Sequence, residues 1–153
     1  LRPSVIFGKD DQFINLFAKL QKVFPVMPLA GANTRFQPVW VHDVAQALVH
    51  CVNTSSTEGQ VFEACGPDVM TLTELVQLAG RWAGCPRTVL PLPHAIAWLQ
   101  ALLMEWLPGP TLMSRDNLAS MKVHNVATGH VPGLRALGIS EPKSIKRLFV
   151  STP

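Results

Sequence analysis

Short apolar runs alternate with helical periodicity through the first half of this chain, and that alternation restricts it to an α/β arrangement. Ser4, Val5, Ile6 and Phe7 form a run that Gly8 ends, the pattern of a buried strand stopping at a turn. Lys9, Asp10 and Asp11 follow, and Phe13, Leu16, Phe17 and Leu20 then recur at helical spacing, which predicts a first helix with an acidic start. Phe36 to Val41 is β-branched and aromatic and predicts a strand. It runs into Asp43, whose carboxylate suits an N-cap ahead of Val44, Ala47, Leu48 and Cys51. Val61 to Cys65 alternates like a strand, Thr71 and Glu74 have the spacing of a capping box, and the helix behind them turns Leu75, Leu78, Ala79 and Trp82 to one side before Gly84. Strand, helix, strand, helix and then a mainly helical remainder predict an α/β fold with a helical lobe after it.

Weaker signals complete the chain. Pro28 restricts Val26 to Leu29 to an edge strand, Gly31-Ala32-Asn33 is a turn, and Thr88 to Leu92 is a short strand. Pro93 opens a long helix through Trp106 that Pro108-Gly109-Pro110 ends, and Ser114 caps a helix to about Met121. Leu134 to Ile139 forms a helical turn closed by Gly138, and Ser144 starts a last helix through Phe149.

Composition removes several classes of function. With 153 residues, 48% of them hydrophobic and 15% charged, the chain has enough apolar material for one domain with a core and is not disordered. The formal charge of +3 comes from singly scattered residues with no basic block, so no nucleic-acid partner is expected. Leu90 to Leu107 is apolar but interrupted by Pro91, Pro93, His94, Gln100 and Glu105, which argues against a transmembrane segment. Cys51, Cys65 and Cys85 fit neither a disulfide framework nor paired metal ligands, and with the five histidines they show no ligand spacing. They read as reduced cysteines of an intracellular protein, cytoplasmic or peripheral to a membrane. There is no tyrosine, so no phenol is available for chemistry.

No glycine-rich phosphate loop, Walker loop or catalytic-serine elbow occurs. Ser4 sits where a strand reaches its end, either facing a ligand or buried with its hydroxyl bonded to backbone. Arg35 follows a turn and precedes a strand, a place from which a guanidinium clamps a phosphate or carboxylate, or else simply faces water. Trp98, Leu99, Leu102, Leu103 and Trp106 share a broad face of the long helix, read as core or as a partner surface.

Three segments together resemble one family. Leu1-Arg2-Pro3-Ser4-Val5-Ile6-Phe7-Gly8 is similar to the strand that follows the catalytic Tyr-x-x-x-Lys helix in extended and atypical short-chain dehydrogenases/reductases, the NAD-dependent epimerase/dehydratase group. Phe36 to Ala47 resembles that group's segment ending D-V-A-x-A, and Gly59 to Pro67 with Thr71 to Leu75 resembles its next strand and helix. The nearest branch is the relatives of the nucleotide-binding accessory subunit of respiratory complex I. The resemblance covers most of residues 1 to 107.

What the resemblance implies is the C-terminal part of a Rossmann-type reductase: the last strands of a parallel sheet plus a small, mainly helical substrate-binding lobe. Residues 1–58 would end the sheet and 59–153 would form the smaller lobe, with the N-terminal cofactor-binding half absent. Pro3, Ser4 and Val5 are the expected cofactor contacts, for NAD or NADP bound by the longer protein, and Phe7, Arg35, Phe36 and Val39 the expected substrate contacts. Phe36 stands where nucleotide-sugar epimerases carry an arginine, and Val5 where the family often has asparagine, which implies an atypical member without fast turnover. The expected function is the substrate-binding portion of an NAD(P)-dependent oxidoreductase, inactive alone and acting on a small molecule with its missing Rossmann half. The alternative is a non-catalytic accessory or assembly subunit of a respiratory complex, docking a protein partner through the Trp98/Trp106 helix.

Overall fold

The computed structural model describes residues 1–93, 96, 121 and 123–150. The helices expected from Pro93 to Trp106 and after Ser114, with the Trp98/Trp106 face, lie outside the described residues. In chain order the elements are β1 (Arg2–Pro3), β2 (Ile6–Phe7), α1 (Gln12–Val23), β3 (Val26–Leu29), β4 (Arg35–Phe36), β5 (Val39–Trp40) and α2 (Val41–Asn53). A 3-10 turn at Ser55–Thr57 leads to β6 (Glu63–Ala64), β7 (Met70–Thr71), α3 (Leu72–Trp82) and β8 (Thr88–Pro91), and a second 3-10 turn at Leu134–Leu137 precedes α4 (Ile145–Val150). They gather into two compact units: Leu1–Leu16, Arg35–Met70 and Asn125–Pro153 form one, Phe17–Thr34 and Thr71–His124 the other.

In the first unit the opening strand is split into two pairings. β1 runs parallel to β6 with Arg2 opposite Glu63, and β2 runs parallel to β5 with Ile6 opposite Val39. The expected strand over Phe36 to Val41 is likewise broken, because Pro38 has no N–H to give a ladder. Behind these strands α2 turns Val44 and Ala47 onto Val39, Phe62, Ala64, Leu134, Leu137 and Ile139, which together form a hydrophobic core cluster. Full burial of a Leu or Val there contributes about 1.5–3 kcal/mol. The Leu134 turn closes as its residues require: Gly138 takes φ 82°, and its N–H reaches back to the Arg135 carbonyl.

The second unit holds the end of α1, α3 and the parallel pair β3–β8, with Val26 opposite Thr88 and Leu29 opposite Pro91. Thr71 and Glu74 form the expected capping box, each side chain receiving the other's backbone N–H. Leu75, Leu78 and Ala79 are buried as expected, whereas Trp82 is 40% exposed at the last turn of α3. The face of α1 is also rotated from the expected one. Ile14, Ala18 and Gln21 are the buried positions, and Phe13, Leu16, Phe17 and Leu20 flank them half-buried. The reason is Gln21: its amide donates to the Val76 carbonyl at 2.7 Å and accepts from the Arg87 N–H at 3.1 Å, so a polar residue occupies the inward position. Gly80 makes room for it, since a Cβ there would collide with the Gln21 amide oxygen. At the other end of α1, Asp11 caps the helix through Oδ1, which accepts from the Ile14 N–H at 2.6 Å. Burial pushes the Asp11 carboxyl above its ordinary range, partly offset by the backbone N–H groups of that turn.

Candidate functional site

Ligands of open α/β sheets collect at the carboxyl ends of parallel strands, so the ends of β1, β2, β5 and β6 in the first unit are where a site is sought. Ser4 sits just past β1 and is buried. Its N–H donates to the Ala64 carbonyl at 3.1 Å, its hydroxyl donates to the Asn125 carbonyl at 2.9 Å, and the same oxygen accepts from the Gln37 N–H at 3.2 Å. A hydroxyl has one proton to give, and this one goes to main chain.

Gln37, just past β4, ties that strand end to the segment after β6 and to the 125–127 stretch. Its side-chain nitrogen donates to the Gly66 carbonyl at 2.7 Å, its side-chain oxygen accepts from the Ala127 N–H at 2.9 Å, and its backbone N–H also donates to the Asn125 carbonyl. Gly66 is required at this crossing because a Cβ would run into the Pro38 carbonyl oxygen.

The carboxylate of Glu63 on β6 accepts from the Thr128 N–H at 2.9 Å and from the Thr128 hydroxyl at 2.7 Å. The hydroxyl bond, more than any other contact, holds Glu63 below the ordinary carboxylate range. Two residues on, burial and then the neighbouring Glu63 charge push the Cys65 thiol up, away from the reactive thiolate form.

At the start of α2 the structure corrects the role expected for Asp43. The helix begins at Val41 with Trp40 as N-cap and no side-chain cap bond. Asp43 is therefore in the first turn, buried, and its carboxylate accepts from the Lys143 N–H at 2.7 Å, fastening a segment 100 residues away. The Trp40 ring stacks at a tilt on His42, 4.4 Å between centroids, and carries the Lys143 ammonium 5.5 Å from its centroid. Beside this cluster an open groove of about 540 Å³ runs along α2, lined by His42, Gln46, His50 and Asn53 opposite Leu137 and Ile139. Ser144, expected to start the last helix, accepts from the Arg147 N–H and donates to Asp68 at 2.6 Å.

The residues expected to contact ligands are placed as follows. Pro3 is exposed on β1, Ser4 is buried, and Val5 is half-buried with its carbonyl accepting from the Val39 N–H at 2.9 Å. Phe7 and Val39 are wholly inside, and Phe36 is buried with its ring 6.0 Å from that of Phe13. Arg35 is exposed, and its carbonyl accepts from the Asn125 N–H at 2.8 Å. The fold thus brings Ser4 to Gln37 and Val5 to Val39, and sets the Arg35 side chain outward. Gln37, Glu63 and Thr128 carry the polar chemistry of these strand ends but were not singled out from the sequence. A buried glutamate inside an alternating strand is the signal that points to one of them. Among the described residues no three His, Cys, Asp or Glu side chains gather as a metal site, and no helix is long and apolar enough to cross a membrane.

No protein-family model matches the chain. It is 31% identical over 156 residues to NADH dehydrogenase (ubiquinone) 1 alpha subcomplex subunit 9, mitochondrial, of Mus musculus, covering 98% of this chain and 40% of that protein. The chain spans less than half the length of each of the relatives it matches. Among solved structures, the epimerase Mth375 of Methanothermobacter thermautotrophicus superposes on 99% of this chain with 40% of its own, at TM-score 0.65 and 15% identity. A dTDP-4-dehydrorhamnose reductase of Bacillus anthracis, solved in complex with NADP, covers 99% of this chain with 47% of its own, at TM-score 0.54 and 16% identity. At these identities the likeness is one of fold, and it agrees with the family that the three sequence motifs resemble.

Proposed function

We propose that this homologue of complex I subunit 9, built on the fold of the epimerases and short-chain reductases, is part of a non-catalytic accessory subunit of a mitochondrial respiratory complex I. One observation carries the reading: identity reaches 31% across 98% of the chain to the complex I subunit, against 15% to an epimerase of the same fold. The chemistry of the strand ends supports it. Ser4, Gln37, Glu63 and Asp43 each direct side-chain polar atoms to main-chain groups, which orders loops and leaves no acid or base of that set aimed outward. In this reading the longer protein retains NAD or NADP as a structural ligand, on a fold whose bacterial reductase member was solved with NADP.

The second reading, the substrate-binding portion of an NAD(P)-dependent epimerase/dehydratase-like oxidoreductase, is favoured by the TM-score of 0.65 to an epimerase. There Pro3, Ser4 and Val5 face the cofactor, and Phe7, Arg35, Phe36 and Val39 line the substrate side. Arg35 is the exposed member of that second set and the one able to meet an anionic group.

Disrupting the gene in its source organism separates the two. Loss of assembled NADH:ubiquinone oxidoreductase on a native gel, restored by the wild-type gene, is the expected result, together with no NAD(P)H oxidation by the purified protein over a panel of nucleotide sugars. Unchanged complex I with substrate-dependent NAD(P)H turnover would overturn the accessory role.

A further inference from the structure

Two helix-to-strand connections of the second unit meet at one pole. α1 passes to β3 through Phe24 and Pro25, and α3 passes to β8 through Gly84, Cys85 and Pro86. Because β3 and β8 are parallel with Val26 opposite Thr88, the carboxyl ends of both helices and the starts of both strands gather there. Arg87 fastens the pole, its Nε donating to the Gln21 carbonyl in the last turn of α1 at 3.0 Å. The opposite end of the unit is marked by the Leu72 N–H donating to the Thr34 carbonyl at 2.9 Å, and it is there, at residues 34–35 and 70–71, that the chain passes to and from the first unit.

Charge and apolar surface both concentrate at this pole. Among the described residues of the unit the Lys and Arg side chains are Lys19, Lys22, Arg81 and Arg87, all exposed and all in the second half of a helix or in the connection after it. The carboxylate among the same residues is Glu74, held in the capping box at the other end of α3. Beside the cations Val23 is 74% exposed, Phe24 47%, Val26 43% and Trp82 40%. Complementing the negative end of a helix dipole accounts for Lys22 and Arg81. It does not account for the aromatic and aliphatic side chains left in water next to them.

We propose that this pole docks on an anionic lipid surface, with Phe24 and Trp82 entering the headgroup layer and Lys19, Lys22, Arg81 and Arg87 meeting lipid phosphates. The pairing of cations with exposed rings selects that occupant. Phosphate and carboxylate groups satisfy the cations wherever they occur, but a bilayer also sets an apolar layer directly beneath its anions, able to take Val23, Phe24 and Trp82 at the same contact. The near absence of acidic groups at this end removes the repulsion that a negative surface would otherwise meet. The inference rests on the second unit's own surface and holds whether the protein is accessory or catalytic.

Co-sedimentation with vesicles tests this, using the protein as its source cells make it and phosphatidylcholine alone or with about one-third phosphatidylserine. The wild type should bind the anionic vesicles, progressively less as salt rises, and leave the neutral ones in suspension. Lys22→Ala and Arg81→Ala should each lower the partition coefficient about fivefold, and Phe24→Ser should lower it comparably. Lys9→Ala and Arg135→Ala remove the same charge from the first unit and should leave binding unchanged. Urea midpoints of all the variants separate loss of the face from loss of the fold, and Lys22→Gln repeats the measurement if alanine disturbs the helix. Failure of the wild type to bind anionic vesicles would overturn the proposal. So would equal losses from the first-unit variants, or vesicle binding that persists in Lys22→Ala and Arg81→Ala while capture of an acidic protein is lost.

Discussion

Glu63 accepts two hydrogen bonds from a single residue, Thr128, one from its backbone N–H and one from its hydroxyl. The pair closes the loop after Asn125 onto β6, and the Glu63 N–H reinforces it by donating to the Pro132 carbonyl at 3.0 Å. Because the folded-state carboxyl titrates below the ordinary glutamate value of 4.5, the folded protein holds the charged form more tightly than the unfolded chain does. Its contribution to stability is complete above that value and is lost as pH falls through the lowered one. Melting curves across the acid range should therefore fall more steeply for the wild type than for Glu63→Gln. Thr128→Val, which deletes the hydroxyl that lowers the pKa most, should flatten the slope in the same way. Curves that run parallel for all three proteins would show that the contact contributes nothing to the acid limb.

Asp43 tests a different contact at the head of α2. Replacing it by alanine removes the buried carboxylate that accepts from the Lys143 N–H at 2.7 Å in a part-buried contact, and should cost about 1–3 kcal/mol in urea unfolding. Asparagine keeps one acceptor oxygen and should lose clearly less. Were the residue capping the helix start instead, Asn and Asp would be near equals and the segment at Lys143 would stay protected from amide exchange in Asp43→Ala. Exchange at that one amide decides between the two roles.

What could be read from the residues in order, and what could not, follows the range of the interactions. The Thr71–Glu74 box, the Gly84 stop and the Gly138 closure are set by neighbours within a few positions, and all three stand in the structure. The α/β class with parallel pairing also follows from local alternation. The role of Asp43 is hidden in the sequence because its partner lies 100 residues away, and a carboxylate just after a strand looks the same whether it serves its own helix or a distant loop. The α1 face differs from the apolar pattern because Gln21 is polar yet fully buried, which no such pattern reveals without Val76 and Arg87 beside it. At the candidate site, the sequence leaves Ser4 open between a cofactor contact and a hydroxyl bonded to backbone, because its partner Asn125 lies 121 residues away, and Gln37 joins segments that only the fold brings together.

Gln21 and Gly80 should behave as one unit. Gly80→Ala pushes a methyl group into the Gln21 amide and is expected to cost about 1–3 kcal/mol. Gln21→Ala leaves the Arg87 N–H without this acceptor and takes from the Val76 carbonyl the bond it accepts in addition to its helical one, at a similar cost. In the double variant the methyl group occupies space the amide has vacated, so the loss should fall short of the two single losses added together by about 0.5–3 kcal/mol. Additive losses in denaturant unfolding would mean that the two residues do not meet.

Ser4 separates support from ligand contact. Its hydroxyl bridges the Asn125 carbonyl and the Gln37 N–H, so Ser4→Ala should destabilise the protein by about 1–3 kcal/mol without any ligand present. The accompanying change should be faster amide exchange at Gln37, whose N–H then keeps only the Asn125 carbonyl, and at Ala127, whose loop the Asn125 contact helps to hold. A hydroxyl whose main task is to touch NAD or NADP would give the opposite result: an unchanged urea midpoint and unchanged exchange, with dinucleotide affinity of the longer protein reduced. Measuring midpoint and exchange in the ligand-free protein, and then the dinucleotide Kd of the same variant, assigns the hydroxyl to one task or the other.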